Sequence, residues 1–174
     1  MPTKEKNITV LRYGHRPYRD LRVTTHCCLV ARAFGAEKIL IQGDEDASLK
    51  KTIDSITKNW GGTFQVEFCE GWLEQIKKFK REGYYIVHLT MYGKPLNREI
   101  TKIRRKKRLL VIIGSKKVEI GVYRQSDINI SVGKQPHSEI AALAVFLDRL
   151  FDGKELEKKF PGAKIILTAK NEKK

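Results

Sequence analysis

Short apolar runs recur along this chain, separated for the most part by stretches whose apolar residues follow helical spacing, and this alternation limits the folds open to it. The runs are "ITVLRY" (Ile8 to Tyr13), "KILIQ" (Lys38 to Gln42), "TFQVEFC" (Thr63 to Cys69), "YYIVHLTM" (Tyr84 to Met91), "LLVIIG" (Leu109 to Gly114) and "DINISV" (Asp127 to Val132). Several are nearly continuous in apolar content, the mark of strands covered on both faces. Between them, Arg22 to Phe34 reads as a helix stopped by Gly35, Ala47 to Asn59 as one ended at Gly61-Gly62, and "GWLEQIKKFKREG" as one closed by Gly83. Strands alternating with helices predict an α/β domain: a mostly parallel sheet with helices on both faces.

The last helix is the clearest, with Ile140, Leu143, Ala144, Leu147, Leu150 and Phe151 at spacings of three and four. Pro136 is expected in its first turn and Gly153 at its end. Beyond it, Pro161-Gly162 signals a turn and Ala163 to Ala169 a short strand. The expected organisation is one domain over residues 1–151, with residues 152–174 as a small C-terminal β appendage.

Lys and Arg number 35 against 20 Asp and Glu, a formal net charge of +15. A basic excess of this size draws polyanions by long-range attraction, so RNA or DNA is the first partner to consider. A lysine-rich thermophile surface is the alternative, but pairing with so few acidic residues does not absorb the excess. No apolar run approaches the roughly 20 residues that span a bilayer. The charged start "MPTKEKN" is not followed by the apolar region of a signal peptide, so the expectation is a cytoplasmic protein without membrane attachment. Cys27, Cys28 and Cys69 lack metal-ligand spacing, so neither zinc ligation nor a disulfide framework is suggested, and Cys27 and Cys28, in an apolar helical stretch, read as buried small hydrophobes.

Ligands of open α/β sheets gather outside the carboxyl ends of the strands. Three segments stand there: "HLTMYG" (His88 to Gly93), "IGSKKVE" (Ile113 to Glu119) and "SVGKQPHSE" (Ser131 to Glu139). The Gly133-Lys134 pair invites comparison with a phosphate loop. That motif needs a glycine where Ile128 stands and a Ser or Thr where Gln135 stands, so a nucleoside triphosphate site is excluded. The first strand also lacks a following Gly-x-Gly-x-x-Gly, which removes the usual dinucleotide site.

Taken together, "GHRPYRDLRVTTHCCLVARAFGA", "VHLTMYG" and "LVIIGSKKVEIGVYRQSDINISVGKQPHSEIAAL" resemble the archaeal tRNA cytidine-2′-O-methyltransferases, a branch of the SPOUT superfamily that methylates cytidine 56 of the tRNA T-loop. The resemblance runs from about Ile8 to Phe151. It implies a C-terminal deep trefoil knot, S-adenosylmethionine as methyl donor, tRNA as substrate and a homodimer with active sites at the subunit interface. Carried over position by position, it implies cofactor binding by Leu89 and Thr90, by Gly114, Ser115, Lys116, Lys117 and Val118, and by Val132, Gly133, Lys134, Gln135, Pro136, His137, Ser138 and Glu139. On that reading Lys134 has no cofactor phosphate to meet and is free to face RNA.

Methylating a ribose hydroxyl needs a base, or a group that stabilises the forming alkoxide. Relatives in the superfamily assign this to an arginine at the position that Leu29 occupies here, so the role must shift. Arg22 is the first candidate and Arg19 the second, with Arg16, His15 and His26 nearby; an ordinary Arg19–Asp20 surface pair is the alternative. His137 fits a structural or cofactor-side role better than that of a base, since a helix N-terminus disfavours an imidazolium. His88 reads as a satisfied core histidine. "KIRRKKR", Lys102 to Arg108, is a solvated face or a phosphate-tracking surface, and Tyr92 and Tyr13 are candidates to stack on a base or simply to pack. Two rival functions remain: a non-catalytic RNA-binding module of the same fold, or a related 2′-O-methyltransferase with another target nucleotide.

Overall fold

The computed structural model describes residues 6–114 and 117–167. Its elements follow in the order β1 (Asn7–His15), α1 (Pro17–Ala33), β2 (Lys38–Gly43), α2 (Ala47–Trp60), β3 (Gln65–Cys69), α3 (Trp72–Arg81), β4 (Tyr85–Pro95), α4 (Leu96–Arg104), β5 (Arg108–Gly114), α5 (Ile120–Gln125), β6 (Ile128–Ser131) and α6 (Glu139–Phe151), with a 3-10 turn at Lys154–Glu157. The six strands form one sheet in the order β3-β2-β1-β5-β4-β6, and every adjacent pair is parallel.

Side chains of each strand alternate between two buried layers. Ile8, Val10, Val87, Leu109, Val111 and Ile113 pack beneath α1, α2, α4 and α6. Leu11, Tyr13, Leu40, Ile86, Leu110 and Ile112 pack against Ile76 and Phe79 of α3 and Val122 of α5. A fully buried Leu, Ile or Val contributes roughly 1.5–3 kcal/mol, so the two layers supply most of what opposes chain entropy. β1, β4 and β5 carry apolar side chains on both faces for this reason, as the near-continuous runs require.

Several helix limits differ from expectation, each for a local cause. α1 begins at Pro17 rather than Arg22: Pro17 occupies its first turn, and Asp20 accepts from the Arg16 N–H and guanidinium. α6 begins at Glu139, with Pro136 outside it, because the Ser138 hydroxyl caps the helix by accepting from the Ala141 N–H at 3.2 Å. α4 and α5 have no counterpart in the sequence reading. In α4 the apolar stripe of Leu96, Ile100 and Ile103 is interleaved with charges that mask its helical spacing.

The expected C-terminal strand is not formed by residues 163–167, which run as coil; Thr168 and Ala169 lie outside the described residues. The N–H groups of Lys164 and Ile165 donate to the Asn59 carbonyl at 2.9 and 3.0 Å, and the Gly62 N–H donates to Pro161 at 2.9 Å. These groups are spent on the end of α2 instead of a sheet edge. Phe160 anchors the segment under the Arg32 guanidinium, 4.7 Å from the ring centre.

β4 is the strand that shapes the carboxyl edge. It pairs with β6 through Leu89↔Ile130, leaves the ladder, and returns through Lys94↔Ile130 and Pro95↔Ser131. The return brings Gly93 against the β6 backbone, where an added Cβ would lie 2.5 Å from Ile130 N and C and 2.6 Å from Asn129 C. Neighbouring backbone has little freedom to retreat. Gly93→Ala should therefore destabilise the fold by more than about 2 kcal/mol, measured as the loss in urea midpoint; a midpoint within error of wild type would show that this crossing tolerates separation.

Candidate active site

The three anticipated segments meet at the carboxyl ends of β4, β5 and β6. They enclose a pocket of about 140 Å³ lined by Leu89, Thr90, Met91, Ile113, Gly114, Val132, His137, Ser138, Glu139 and Ala142. Leu89, Ile113, Val132 and Ala142 give it apolar surface, and Thr90, His137, Ser138 and Glu139 supply polar groups. Of the expected cofactor residues, Leu89, Thr90, Gly114, Val132, His137, Ser138 and Glu139 are brought together here. Met91, Ile113 and Ala142 join them; Ile113 and Ala142 extend the strand and helix that carry expected residues.

Lys117, Val118, Gly133, Lys134, Gln135 and Pro136 do not line the pocket, and Ser115 and Lys116 lie outside the described residues. Val118 is drawn instead towards the core beneath α3 and α5. Lys134, Gln135 and Pro136 are exposed. Gly133 does not take a left-handed conformation; its carbonyl accepts from the Ser131 hydroxyl at 2.8 Å, which closes the loop start. His137 Nδ1 lies 2.6 Å from the Gln135 carbonyl, an atom that can only accept. Nδ1 therefore carries the proton, and in the neutral ring Nε2 is left as an acceptor. Thr90 and Tyr123 hydroxyls meet at 2.9 Å, tying the β4 excursion to α5.

Next to the pocket wall, the end of β1 holds a group of buried polar residues. Arg12 is wholly inaccessible, and its Nη2 lies 3.4 Å from Glu139 Oε1. His15 Nδ1 meets the Thr24 hydroxyl at 2.8 Å, and its Nε2 stands 3.9 Å from Asp46. Burial, reinforced by the nearby Arg12 charge, holds the His15 imidazole below its ordinary value. Burial alone would raise the Asp46 carboxyl, but the Ser48 hydroxyl and the N–H groups of Leu49 and Ser48 bring it below the usual range. The same bonds cap α2. Asp20 is likewise pushed up by burial and brought down further by Arg16.

Arg19 and Arg22 are exposed on α1 and do not line the pocket of their own chain. His26 is exposed beside them. The anticipated Arg19–Asp20 pair is replaced by Arg16–Asp20, at 2.9 Å one helical turn apart. Tyr13 packs in the core and donates to Glu119 at 2.7 Å, which removes it as a stacking surface, whereas Tyr92 is 87% exposed beside the pocket. His88 is buried, bonded to Asn129 at 2.9 Å and set edge-on to Tyr123. Burial raises the thiols of Cys27 and Cys28 to about 11 and about 12, so neither is a nucleophile at neutral pH.

The basic run from Lys102 to Arg108 lies at the amino end of β5, the opposite end from Gly114. Its members are partly engaged: Arg104 reaches the Arg149 carbonyl and Asp152, Lys106 lies over Tyr85, and Arg108 donates to the Glu82 carbonyl. Beside it runs a larger groove of about 510 Å³, lined in part by Lys6, Phe151 and Glu155, which contains none of the expected cofactor residues. Nothing in the local pattern distinguishes Arg12, a lone charge in an apolar run; its burial and its pairing with Glu139 of α6 follow only from tertiary packing.

Residues 60–174 match the family model described as "tRNA ribose 2'-O-methyltransferase, aTrm56". The chain is 50% identical to the tRNA (cytidine(56)-2'-O)-methyltransferase of Methanopyrus kandleri, over 92% of this chain and 90% of that one. It is 51% identical to the protein of the same name from Methanothrix thermoacetophila, over 93% and 92%. Among solved structures it is similar to a putative RNA methyltransferase of the TrmH family from Porphyromonas gingivalis (TM-score 0.64, 12% identity, 83% of this chain and 59% of that chain). It is also similar to the SpoU methyltransferase AviRb from Streptomyces viridochromogenes in complex with AdoMet (TM-score 0.62, 11% identity, 87% and 58%). At such identities these two likenesses concern the fold.

The buried imidazoles make stability depend on pH. Burial lowers both His15 and His88 from 6.5, so as pH falls through that value the unfolded chain takes up protons before the folded one. Stability from this source is complete above 6.5 and declines below it. The urea midpoint should fall between about pH 7.5 and about pH 5.5, and the His15→Gln, His88→Gln double variant should lose most of that slope. An unchanged slope in the double variant would assign the dependence to other groups.

Proposed function

The chain belongs to the tRNA ribose 2'-O-methyltransferase family aTrm56, and from that membership we propose that it methylates the ribose 2′-oxygen of cytidine 56 in tRNA with S-adenosylmethionine as donor. The observation that carries this reading is the convergence of the three strand-end segments on one pocket, with apolar surface for a purine and polar groups around it. A module that merely bound RNA would have no use for such a recess. The residues fit the donor: Leu89, Ile113 and Val132 offer apolar contact, Thr90 and Ser138 offer hydroxyls, and Glu139 offers a carboxylate to a cationic ligand. Bound there, the donor supplies an electrophilic methyl group on a sulfonium sulphur.

The chain must then bring a ribose hydroxyl to the pocket mouth and steady the charge that develops on it. Arg22 is proposed for this task and Arg19 as its neighbour. Since neither lines the pocket of its own chain, a second copy is proposed to present them. Tyr18 and Leu21 on α1 and Val145 on α6 are exposed, and the two helices pack side by side. Their shared outer face is a suitable surface for a twin. The trefoil knot is proposed on the same footing: the fold is that of SpoU and TrmH methyltransferases, and β4 pairs with β6 in two stretches separated by a register shift. Lys134, exposed at the loop tip, is proposed to face tRNA phosphate. No helix among the described residues is long and apolar enough to cross a membrane, which agrees with a cytoplasmic setting.

Unmodified tRNA incubated with methyl-labelled donor and then digested should carry the label on the ribose of cytidine 56; label on a base, or outside the T-loop, would overturn the assignment. Arg22→Ala should reduce turnover by at least about a hundredfold with unchanged donor affinity, and near-normal turnover would remove Arg22 from the reaction. Sedimentation should show a dimer at assay concentrations, and a fully active monomer would exclude the shared site.

A further inference from the structure

Arg12 is among the largest fully buried side chains of the described residues. It stands beside Ile113 in the β1–β5 register, and Ile113 is a strand residue of the pocket lining. A buried guanidinium is costly unless it is paired, and this one is paired sparingly. Glu139 is the only carboxylate within ion-pair distance of it among the described residues, and its Nε and Nη1 have no hydrogen-bond partner.

Glu139 also lines the pocket itself. Among the described residues Glu139 is the only carboxylate of the lining, and no lysine or arginine stands beside it there. Its side chain keeps 21% exposure while Arg12 keeps none, so of the two charges only the carboxylate is open to a molecule entering the recess. A wall built this way presents negative charge to whatever enters.

We propose that the Arg12–Glu139 pair makes the pocket sense the charge on the donor's sulphur, with Glu139 facing the sulfonium and Arg12 as the positioning residue that holds the carboxylate in place. The inference rests on the reading that S-adenosylmethionine is the donor. During transfer the ribose oxygen's electron pair forms the new O–CH₃ bond, the S–CH₃ electrons remain on sulphur, and the hydroxyl proton leaves to a base. The sulphur ends as a neutral thioether. Attraction to Glu139 is thereby lost at turnover, which favours release of the product and its replacement by fresh donor. The donor's ammonium group, in contrast, is unchanged by the reaction, so affinity for substrate and product separates the two cations.

The test is calorimetric binding of S-adenosylmethionine and S-adenosylhomocysteine to the wild-type protein and to Glu139→Gln, Arg12→Met and Arg12→Lys. Glu139→Gln should weaken the sulfonium ligand about tenfold and the thioether less than about twofold, since a tenfold change corresponds to about 1.4 kcal/mol. Arg12→Met should move the ratio of the two affinities in the same direction, and Arg12→Lys, which keeps a cation, should restore most of it. Equal losses for both ligands in Glu139→Gln would overturn the proposal, because an ammonium contact or a purely structural role gives that result. An unmoved ratio in Arg12→Met would remove Arg12 from it. Should Arg12→Met not fold, Glu139→Gln and Arg12→Lys decide the matter. A wild-type protein that binds neither ligand would overturn the donor itself, whereas binding of both with an unmoved ratio overturns only the charge reading.

Discussion

Everything at the carboxyl edge depends on how β6 holds β4. Ile130 takes part in the ladder with Leu89 and again with Lys94, so the intervening residues leave the ladder, and Thr90 among them reaches the Tyr123 hydroxyl of α5. That excursion carries Thr90 and Met91 to the pocket wall and leaves Tyr92 in solvent. It also requires a glycine at position 93, where the two backbones nearly touch. Without the second pairing, β4 would end in an ordinary loop and the three segments would not share one recess.

The electrostatics of that edge are set by burial. Arg12, His15, Asp20 and Asp46 are all largely shielded from water, each held by a different local device: an ion pair with Glu139, a hydroxyl from Thr24, the Arg16 guanidinium and the first turn of α2. A neutral His15 suits this company, since a protonated ring beside Arg12 would add a like charge in a poorly solvated place. Buried polar groups tie β1 to α1, α2 and α6, and so to both the pocket wall and the outer face of α1.

Basic charge is divided between the two ends of the sheet. On the side of the carboxyl ends, Arg19 and Arg22 in the first turns of α1 and Lys134 in the loop after β6 are exposed and available to a polyanion. At the far end, Arg104 and Arg108 spend part of their hydrogen-bonding capacity on carbonyls and Lys106 lies over an aromatic ring. The spacing between the ends is the length of β5, roughly 20 Å at about 3.3 Å per residue. A folded RNA is large enough to bridge that distance, but the residues at the far end are also structural staples of the α4–β5 connection.

Much of this was legible in the sequence. Alternating apolar runs determined the strands and most helices, because a strand buried on both faces must be apolar throughout and a surface helix must carry a stripe. Strand-end placement marked the three ligand segments, and the family resemblance supplied the chemistry. α4 is hidden because charge interleaves its stripe, and the tail beyond Phe160 reads as a strand because Ile165, Ile166 and Leu167 are apolar, although the N–H groups of Lys164 and Ile165 are bonded to Asn59 at the end of α2. What only the tertiary structure decided is which residues of those segments face the pocket, that Tyr13 is core while Tyr92 is free, and that Arg12 lies buried against Glu139. Local pattern records how each segment meets its own neighbours along the chain, whereas a pocket is made by side chains far apart in sequence, whose contacts no periodicity encodes.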